Sequence, residues 1–311
     1  MTLTVLFAAG TERWDAYRAP LQEAFLAKGL DADLVQEADP SRVDYIIYAP
    51  GSPLQDFRPF TRTRAVLNIW AGVERIVGNP TLTQPLCRMV DPSLTEGMVE
   101  WVAGQVLRHH LGLDTHILHQ DGIWRHDLVP PLARDRPVAV LGMGALGQAC
   151  GQALAGLGFA VTGWSRGARA VSGLVGRFGE AGLRDALTGA QIVVLLLPLT
   201  PDTENLINAE RLGWLHRGAV LINPGRGALI DDAALLAALD SGQVGHATLD
   251  VFRTEPLPAD HPFWAHPRVT VTPHIAAETR PETAAVVIAE NIRRSEAGEA
   301  LLHVVDRQRG Y

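Results

Sequence analysis

The sequence predicts an α/β fold in two domains, each built on a parallel sheet, and three observations carry that reading. Short apolar runs recur along the whole chain, separated by stretches that suit helices, which is how strands covered on both faces by helices are written. The runs beyond residue 136 keep a stricter strand-and-helix rhythm than those before residue 89, so the two parts belong to different sheets. At 311 residues, 47% hydrophobic and 20% charged, the chain is long enough for two cores.

Taken in order, Leu3 to Ala9, Tyr45 to Ala49 and Ala65 to Ile69 read as strands of the first domain, and Tyr17 to Lys28 as a helix. Ser93-Leu94-Thr95-Glu96 has the spacing of a capping box, so a helix of about 18 residues follows it and ends near His110. An irregular stretch containing Pro130 and Pro131 runs on to Arg136. Val138–Leu141, Phe159–Trp164, Ile192–Leu197, Ala219–Ile222, Ala247–Val251 and Val269–Thr272 then read as buried parallel strands. Asp231 caps a helix over Asp232–Leu239 that Ser241-Gly242 stops. Thr279-Arg280-Pro281-Glu282 is a second capping box, opening a final helix to about Ala297 that crosses back to the first domain. Residues 1–99 with 276–311 are thus expected to form one domain, and residues 100–275 the other.

Composition narrows the possible partners. The net charge of −7 and scattered basic residues offer no cationic face for nucleic acid or anionic lipid. The longest apolar run, Ile192 to Leu197, falls far short of the roughly 18 residues of a membrane span, and the N-terminus has no basic region ahead of an apolar segment, so a cytoplasmic location is expected. Cys87 and Cys150 have no metal spacing and read as packing residues; no metal site is indicated.

The first chemical signal is Gly142-Met143-Gly144-Ala145-Leu146-Gly147, which follows the Val138–Leu141 strand and opens a helix. That context makes it the phosphate-binding turn of a dinucleotide fold, with the helix N-terminus facing the pyrophosphate. The second domain is therefore expected to be a doubly wound parallel-sheet cofactor domain of Rossmann type. A unit selective for NAD would place an acid about twenty residues after the turn to hold the ribose 2′-hydroxyl. Here the next strand runs into Ser165-Arg166-Gly167-Ala168-Arg169, and no acid occurs from Gln148 to Gly179. A guanidinium at that point suits a 2′-phosphate, where one charge-assisted bond is worth about 1.5–3 kcal/mol. NADPH is the expected cofactor and NADH the weaker alternative, with Arg166 the firmer contact than Arg169.

Three later strand ends each deliver one reactive side chain. Arg226 lies in Asn223-Pro224-Gly225-Arg226-Gly227, Glu255 in Asp250-Val251-Phe252-Arg253-Thr254-Glu255-Pro256, and His274 in Thr272-Pro273-His274-Ile275-Ala276-Ala277. Ligands bind outside the carboxyl ends of strands in open parallel sheets, so an arginine, a carboxylate and a histidine gathered there suit carbonyl reduction. A lone histidine is more often a packed core residue, but a strand-end Pro-His-Ile with an acid to pair with argues against that here. His109, His110, His261 and His266 have no partner at ligand spacing and read as structural or solvated.

In these segments, together with Trp70-Ala71-Gly72-Val73, Trp164-Ser165-Arg166 and His266 to His274, the chain resembles the D-2-hydroxyacid dehydrogenases over essentially its whole length. The resemblance implies two Rossmann-like domains, a doubly wound parallel-sheet cofactor domain inserted in a smaller flavodoxin-like substrate domain. It also implies NADPH-dependent reduction of small 2-keto acids, glyoxylate to glycolate and hydroxypyruvate to D-glycerate. It implies that Arg226 binds the substrate carboxylate and polarises the carbonyl, that His274 donates the proton, and that Glu255 holds the imidazole and favours its charged form. Ala71 and Gly72 would hold the carboxylate through backbone amides, with Trp70 as packing or pocket wall. Further cofactor contacts are implied at Leu197, Pro198, Pro224, Gly225, Asp250, His274 and Ala276, Asp250 touching the nicotinamide amide or capping a turn. A homodimer built partly on the helix after Ser93 is also implied. Two alternatives stand beside this reading: a reductase of bulkier keto acids such as phenylpyruvate, and a dinucleotide-sensing regulator without catalysis.

Overall fold

Among the described residues of the computed structural model, which are 2–168, 171–308 and 310, the strands form two parallel sheets. The chain divides into two compact units, one made of residues up to Leu94 together with Glu278 onward, the other of Thr95–Ala277.

The first unit contains β1 (Leu3–Ala8), α1 (Trp14–Ala27), β2 (Ala32–Val35), β3 (Tyr45–Tyr48), β4 (Ala65–Asn68) and β5 (Leu86–Cys87). Its strand order, β2-β1-β3-β4-β5, is the flavodoxin-like order. Every residue of β3 and β4 is buried, as strands with helices on both faces require. β2 and β5 escape a periodicity reading because they are short and, in β2, only partly buried.

Next come α2 (Pro92–His110) and α3 (Leu113–Leu118), and residues 119–132 without regular structure. The second unit continues with β6 (Pro137–Leu141), α4 (Ala145–Gly156), β7 (Ala160–Ser165), β8 (Val175–Phe178), α5 (Gly179–Leu187) and β9 (Ile192–Leu195). It is completed by α6 (Ala209–Leu212), β10 (Ala219–Asn223), α7 (Asp232–Asp240), β11 (Val244–Leu249) and β12 (Val269–Val271). The order β8-β7-β6-β9-β10-β11-β12 is that of a doubly wound dinucleotide fold with one strand added. Val138 of β6 pairs with Val161 on one side and Ile192 on the other, so the winding reverses at β6, where such folds bind ligands. β8 is exposed throughout and so lacks the apolar signal by which a strand is recognised.

α8 (Pro281–Glu296) returns to the first unit and packs Ala284, Ala285, Ile288, Ala289 and Ile292 into its core. The two capping boxes are displaced. Ser93 lies inside α2, and it is the Asp91 carboxylate that accepts the Leu94 amide at 3.1 Å. α8 starts after Arg280, which makes no side-chain cap, so Thr279 is outside the helix. In both helices a proline stands at the first position, Pro92 and Pro281, and its fixed φ sets the start. Asp231 caps α7 as expected, accepting the Ala234 amide at 3.0 Å.

His109 is buried, not solvated, with its Nε2 2.8 Å from the Thr248 hydroxyl and its ring against His246. Burial pushes His109 down to about 3 and His246 to about 4, so both are neutral groups joining α2 to the sheet. Burial also pushes the Cys87 and Cys150 thiols up to about 12, consistent with packing roles.

A Cβ on Gly147 would overlap the Gly142 carbonyl oxygen, whereas one on Gly144 meets nothing within 4 Å. Gly147→Ala is expected to cost about 1–3 kcal/mol or more and lower the thermal midpoint by several degrees. Gly144→Ala should melt like the parent protein yet bind dinucleotide more weakly, since its methyl fills the space a pyrophosphate would approach; calorimetry and fluorescence titration read the two effects separately.

Candidate active site

The glycine turn joins β6 to α4 in the arrangement a phosphate requires. The Gly142 amide donates to the Trp164 carbonyl at 2.8 Å, and at φ +110° this residue lies against the Leu196 backbone, leaving no room for a side chain. Met143 is buried with its carbonyl accepting from Gln148 Nε2, while Gly144 occupies the N-cap of α4 without a side chain. Ala145, Leu146 and Gly147 form the first turn of that helix, whose unpaired amides make a ready anion site. The residues present therefore fit a dinucleotide.

At the end of β7, the Ser165 hydroxyl donates to the Gly167 carbonyl at 2.8 Å and tightens the loop. Arg166 reaches Asp202 at 2.8 Å, both side chains being largely exposed, so the contact is weak and open to exchange for a stronger anion. No motif in the sequence points to Asp202, which stands far along the chain in a separate loop. Arg169 lies outside the described residues. Beyond β9, Leu197 is buried and the Pro198 carbonyl accepts the Thr203 hydroxyl at 2.7 Å, which fixes the backbone there.

The Arg226 loop is held by Asn223, a residue whose sequence position gave no hint of burial. Asn223 is fully buried; its Oδ1 accepts the Gly225 amide at 3.1 Å and its Nδ2 donates to the Arg226 carbonyl at 2.9 Å. An Asn turning onto the amide two residues on is a known turn signal, and Asn223-Pro224-Gly225 carries it. Gly225 lies close to the Leu195 carbonyl, and a Cβ on Gly227 would overlap the Phe252 backbone. Arg226 is partly buried between them, with Nη1 donating to the Gly225 carbonyl at 2.6 Å.

Glu255 and His274 meet directly, with His274 Nδ1 2.8 Å from Glu255 Oε2. Glu255 Oε1 accepts the Phe252 amide at 2.9 Å, which holds the carboxylate in place. His274 stands at φ +56° because its own amide is drawn to the Asp250 and Thr272 carbonyls at 2.8 and 3.0 Å. The Asp250 carboxylate, fully buried, accepts from the Thr272 hydroxyl at 2.6 Å and from the Ile275 and Ala276 amides at 3.0 and 2.9 Å. Of its two expected roles, capping the turn is the one this geometry displays.

The hydrogen bond from Glu255 raises the His274 pKa above its ordinary value; burial opposes this, and so does the charge of Arg226. Burial would lift Glu255, but bonds from His274 and the Phe252 amide, with the charges of His274 and Arg226, hold it below the usual carboxylate value. The result is an imidazole whose charged form is favoured, oriented by a carboxylate, its ring half exposed, within the field of a guanidinium. Such a group can give a proton to an oxygen that is gaining negative charge.

In the first unit, β4 ends at Asn68 and leads into Trp70-Ala71-Gly72. The Trp70 ring is partly buried against the core and carries the Arg13 guanidinium 5.5 Å from its centroid. The Ala71 and Gly72 amides have no hydrogen-bond partner among the described residues.

A parallel sheet wound in this order, with a glycine turn at the switch point and an Arg-Glu-His group at neighbouring strand ends, defines a dinucleotide-dependent oxidoreductase. The chain belongs to the D-isomer specific 2-hydroxyacid dehydrogenases, whose NAD binding domain matches residues 102–276. It is 37% identical over 284 residues to the glyoxylate/hydroxypyruvate reductase A of Yersinia enterocolitica, covering 89% of this chain and 90% of that protein. With its counterpart from Serratia proteamaculans it shares 39% over 285 residues, at the same coverage. Among solved structures, a D-isomer specific 2-hydroxyacid dehydrogenase from Xanthobacter autotrophicus, in complex with NADPH and MES, superposes with a TM-score of 0.93 at 41% identity, both chains fully covered. An NADPH-dependent glyoxylate/hydroxypyruvate reductase from Sinorhizobium meliloti, in complex with NADP and sulfate, gives 0.88 at 38%, covering 100% of this chain and 99% of that one.

With His274 as the proton donor that the resemblance implies, kcat/KM should fall as pH rises through the His274 pKa. Glu255→Gln removes the negative charge that raises that pKa, and the alkaline limb of the profile is expected to move to lower pH. An unmoved limb in a folded variant would show that Glu255 does not set the His274 pKa.

Proposed function

We propose that this chain reduces glyoxylate and hydroxypyruvate with NADPH, giving glycolate and D-glycerate. The observation that carries the reading is the His274–Glu255 pair at 2.8 Å, beside Arg226, in the unit that bears the glycine turn. Arg226 binds the substrate carboxylate and draws electron density from the keto oxygen; a planar guanidinium can do both. When bound, NADPH supplies the hydride that converts the carbonyl carbon to a carbinol. His274 hands its Nε2 proton to the oxygen as charge develops there, and the neutral imidazole left behind stays oriented by Glu255. Glu255 and Asp250 hold His274 but do not exchange protons with substrate. Gly142 to Gly147 would hold the pyrophosphate, and Arg166 would exchange Asp202 for the 2′-phosphate. Leu197, Pro198, Pro224, Gly225 and Ala276 form the remaining wall of the cofactor site. The solved relatives bound to NADPH or NADP support the choice of cofactor.

In an assay following NADPH oxidation, glyoxylate and hydroxypyruvate should turn over with kcat/KM at least about tenfold higher with NADPH than with NADH. His274→Ala should lower kcat by about a hundredfold or more with NADPH affinity kept. No oxidation with any keto acid would end the reading, and equal use of the two nucleotides would end the role of Arg166.

The same reading includes a homodimer. Residues 111–132 expose Ile117, Leu118, Ile123, Trp124 and Val129, Trp124 at 86%. A run of large apolar side chains this exposed suits burial against a second copy. Trp124→Asp should shift the elution of the native protein from dimer to monomer in size-exclusion chromatography with light scattering; a monomeric parent protein would refute the assignment.

A further inference from the structure

We propose that Asn68 is a positioning residue for substrate binding: its side-chain amide turns the Ala71 and Val73 N–H groups outward as a carboxylate-binding pair. The inference rests on the 2-keto acid reading above. Asn68 closes β4 and is 1% exposed. Its Nδ2 donates to the Trp70 carbonyl at 2.8 Å and the Gly72 carbonyl at 2.9 Å, so both amide hydrogens go to one short loop. The Met89 amide donates to the same Trp70 carbonyl at 3.0 Å and fixes it from the segment that follows β5.

Peptide planarity carries this orientation to the donors. In a trans peptide the N–H points opposite to the C=O. With the Trp70 carbonyl turned onto Asn68, the Ala71 N–H faces away, and with the Gly72 carbonyl turned in, so does the Val73 N–H. None of the amides of Ala71, Gly72 and Val73 has a partner among the described residues. Successive free backbone donors whose carbonyls are tied down form an anion-binding concavity.

The amide of Asn68 can face only one way, because the reverse would set Oδ1 against two carbonyl oxygens. In that orientation Oδ1 is buried without a partner among the described residues. A position needed only for packing would be better filled by an apolar side chain. What the site retains is two N–H donors, and their effect is on the loop.

The test is Asn68→Asp, which keeps the shape but puts an acceptor against both carbonyls, with Asn68→Ser, which keeps one donor, as the second variant. The Asn68→Asp protein should raise KM for glyoxylate at least about tenfold, and weaken inhibition by oxamate, an inert carboxylate mimic, in parallel. Its Kd for NADPH should stay within about twofold of the parent, and kcat should change far less than KM. The Asn68→Ser protein should fall between the two, and it decides the question if Asn68→Asp does not fold. KM and oxamate inhibition unchanged in a folded variant would overturn the assignment, as would a loss of kcat and NADPH affinity together, which marks a merely structural role. Absence of turnover in the parent protein with every keto acid would overturn the functional reading itself.

Discussion

The candidate site depends on one buried charge, the Asp250 carboxylate. A carboxylate removed from water is costly unless donors surround it, and here they come from the turn that carries His274. The Thr272 hydroxyl and the Ile275 and Ala276 amides close on its two oxygens, and the backbone between them folds tightly enough to set His274 at φ +56°. A left-handed conformation is unfavourable for a residue with a side chain, so it persists only because the surroundings over-determine it. Satisfying Asp250 and aiming the imidazole are one event, and Glu255 meets a ring already in place.

The strand ends are tied to one another by contacts that leave no slack. Gly227 sits against the Phe252 backbone, and Phe252 in turn gives its amide to Glu255. Arg253 holds the same loop from outside through Asn205, the Ile230 carbonyl and Asp232. Arg226, Glu255 and His274 therefore ride on three loops that cannot shift independently, which is what preorganised electrostatic catalysis requires. The buried strands beneath, β9 and β10, supply the rigid base.

Much of this was legible in the residue order. Fully buried strands announced themselves as apolar runs, and the glycine turn, the Arg226 loop, the Glu255 loop and the His274 turn were each visible as short motifs at strand ends. Signals failed where another force set the structure. The exposed edge strand β8 has no apolar face to read. Pro92 and Pro281 set the helix starts, so Ser93 and Thr279 lost the capping roles their spacing suggested. Asn223 and Asn68 could not be valued, because an asparagine reads as a turn residue until its burial is known.

By itself, the sequence determined the two-sheet α/β architecture, the dinucleotide turn, the missing acid after Trp164 and the three reactive side chains, since periodicity and motif spacing are local properties. Only the tertiary structure decided who holds these groups. Asp250 lies 22 residues from Thr272, and Arg166 lies 36 residues from Asp202, so no short window along the chain contains both members of either pair. Partners of that kind are brought together by strand order, and their bonding depends on burial, which exists only once the sheet has formed.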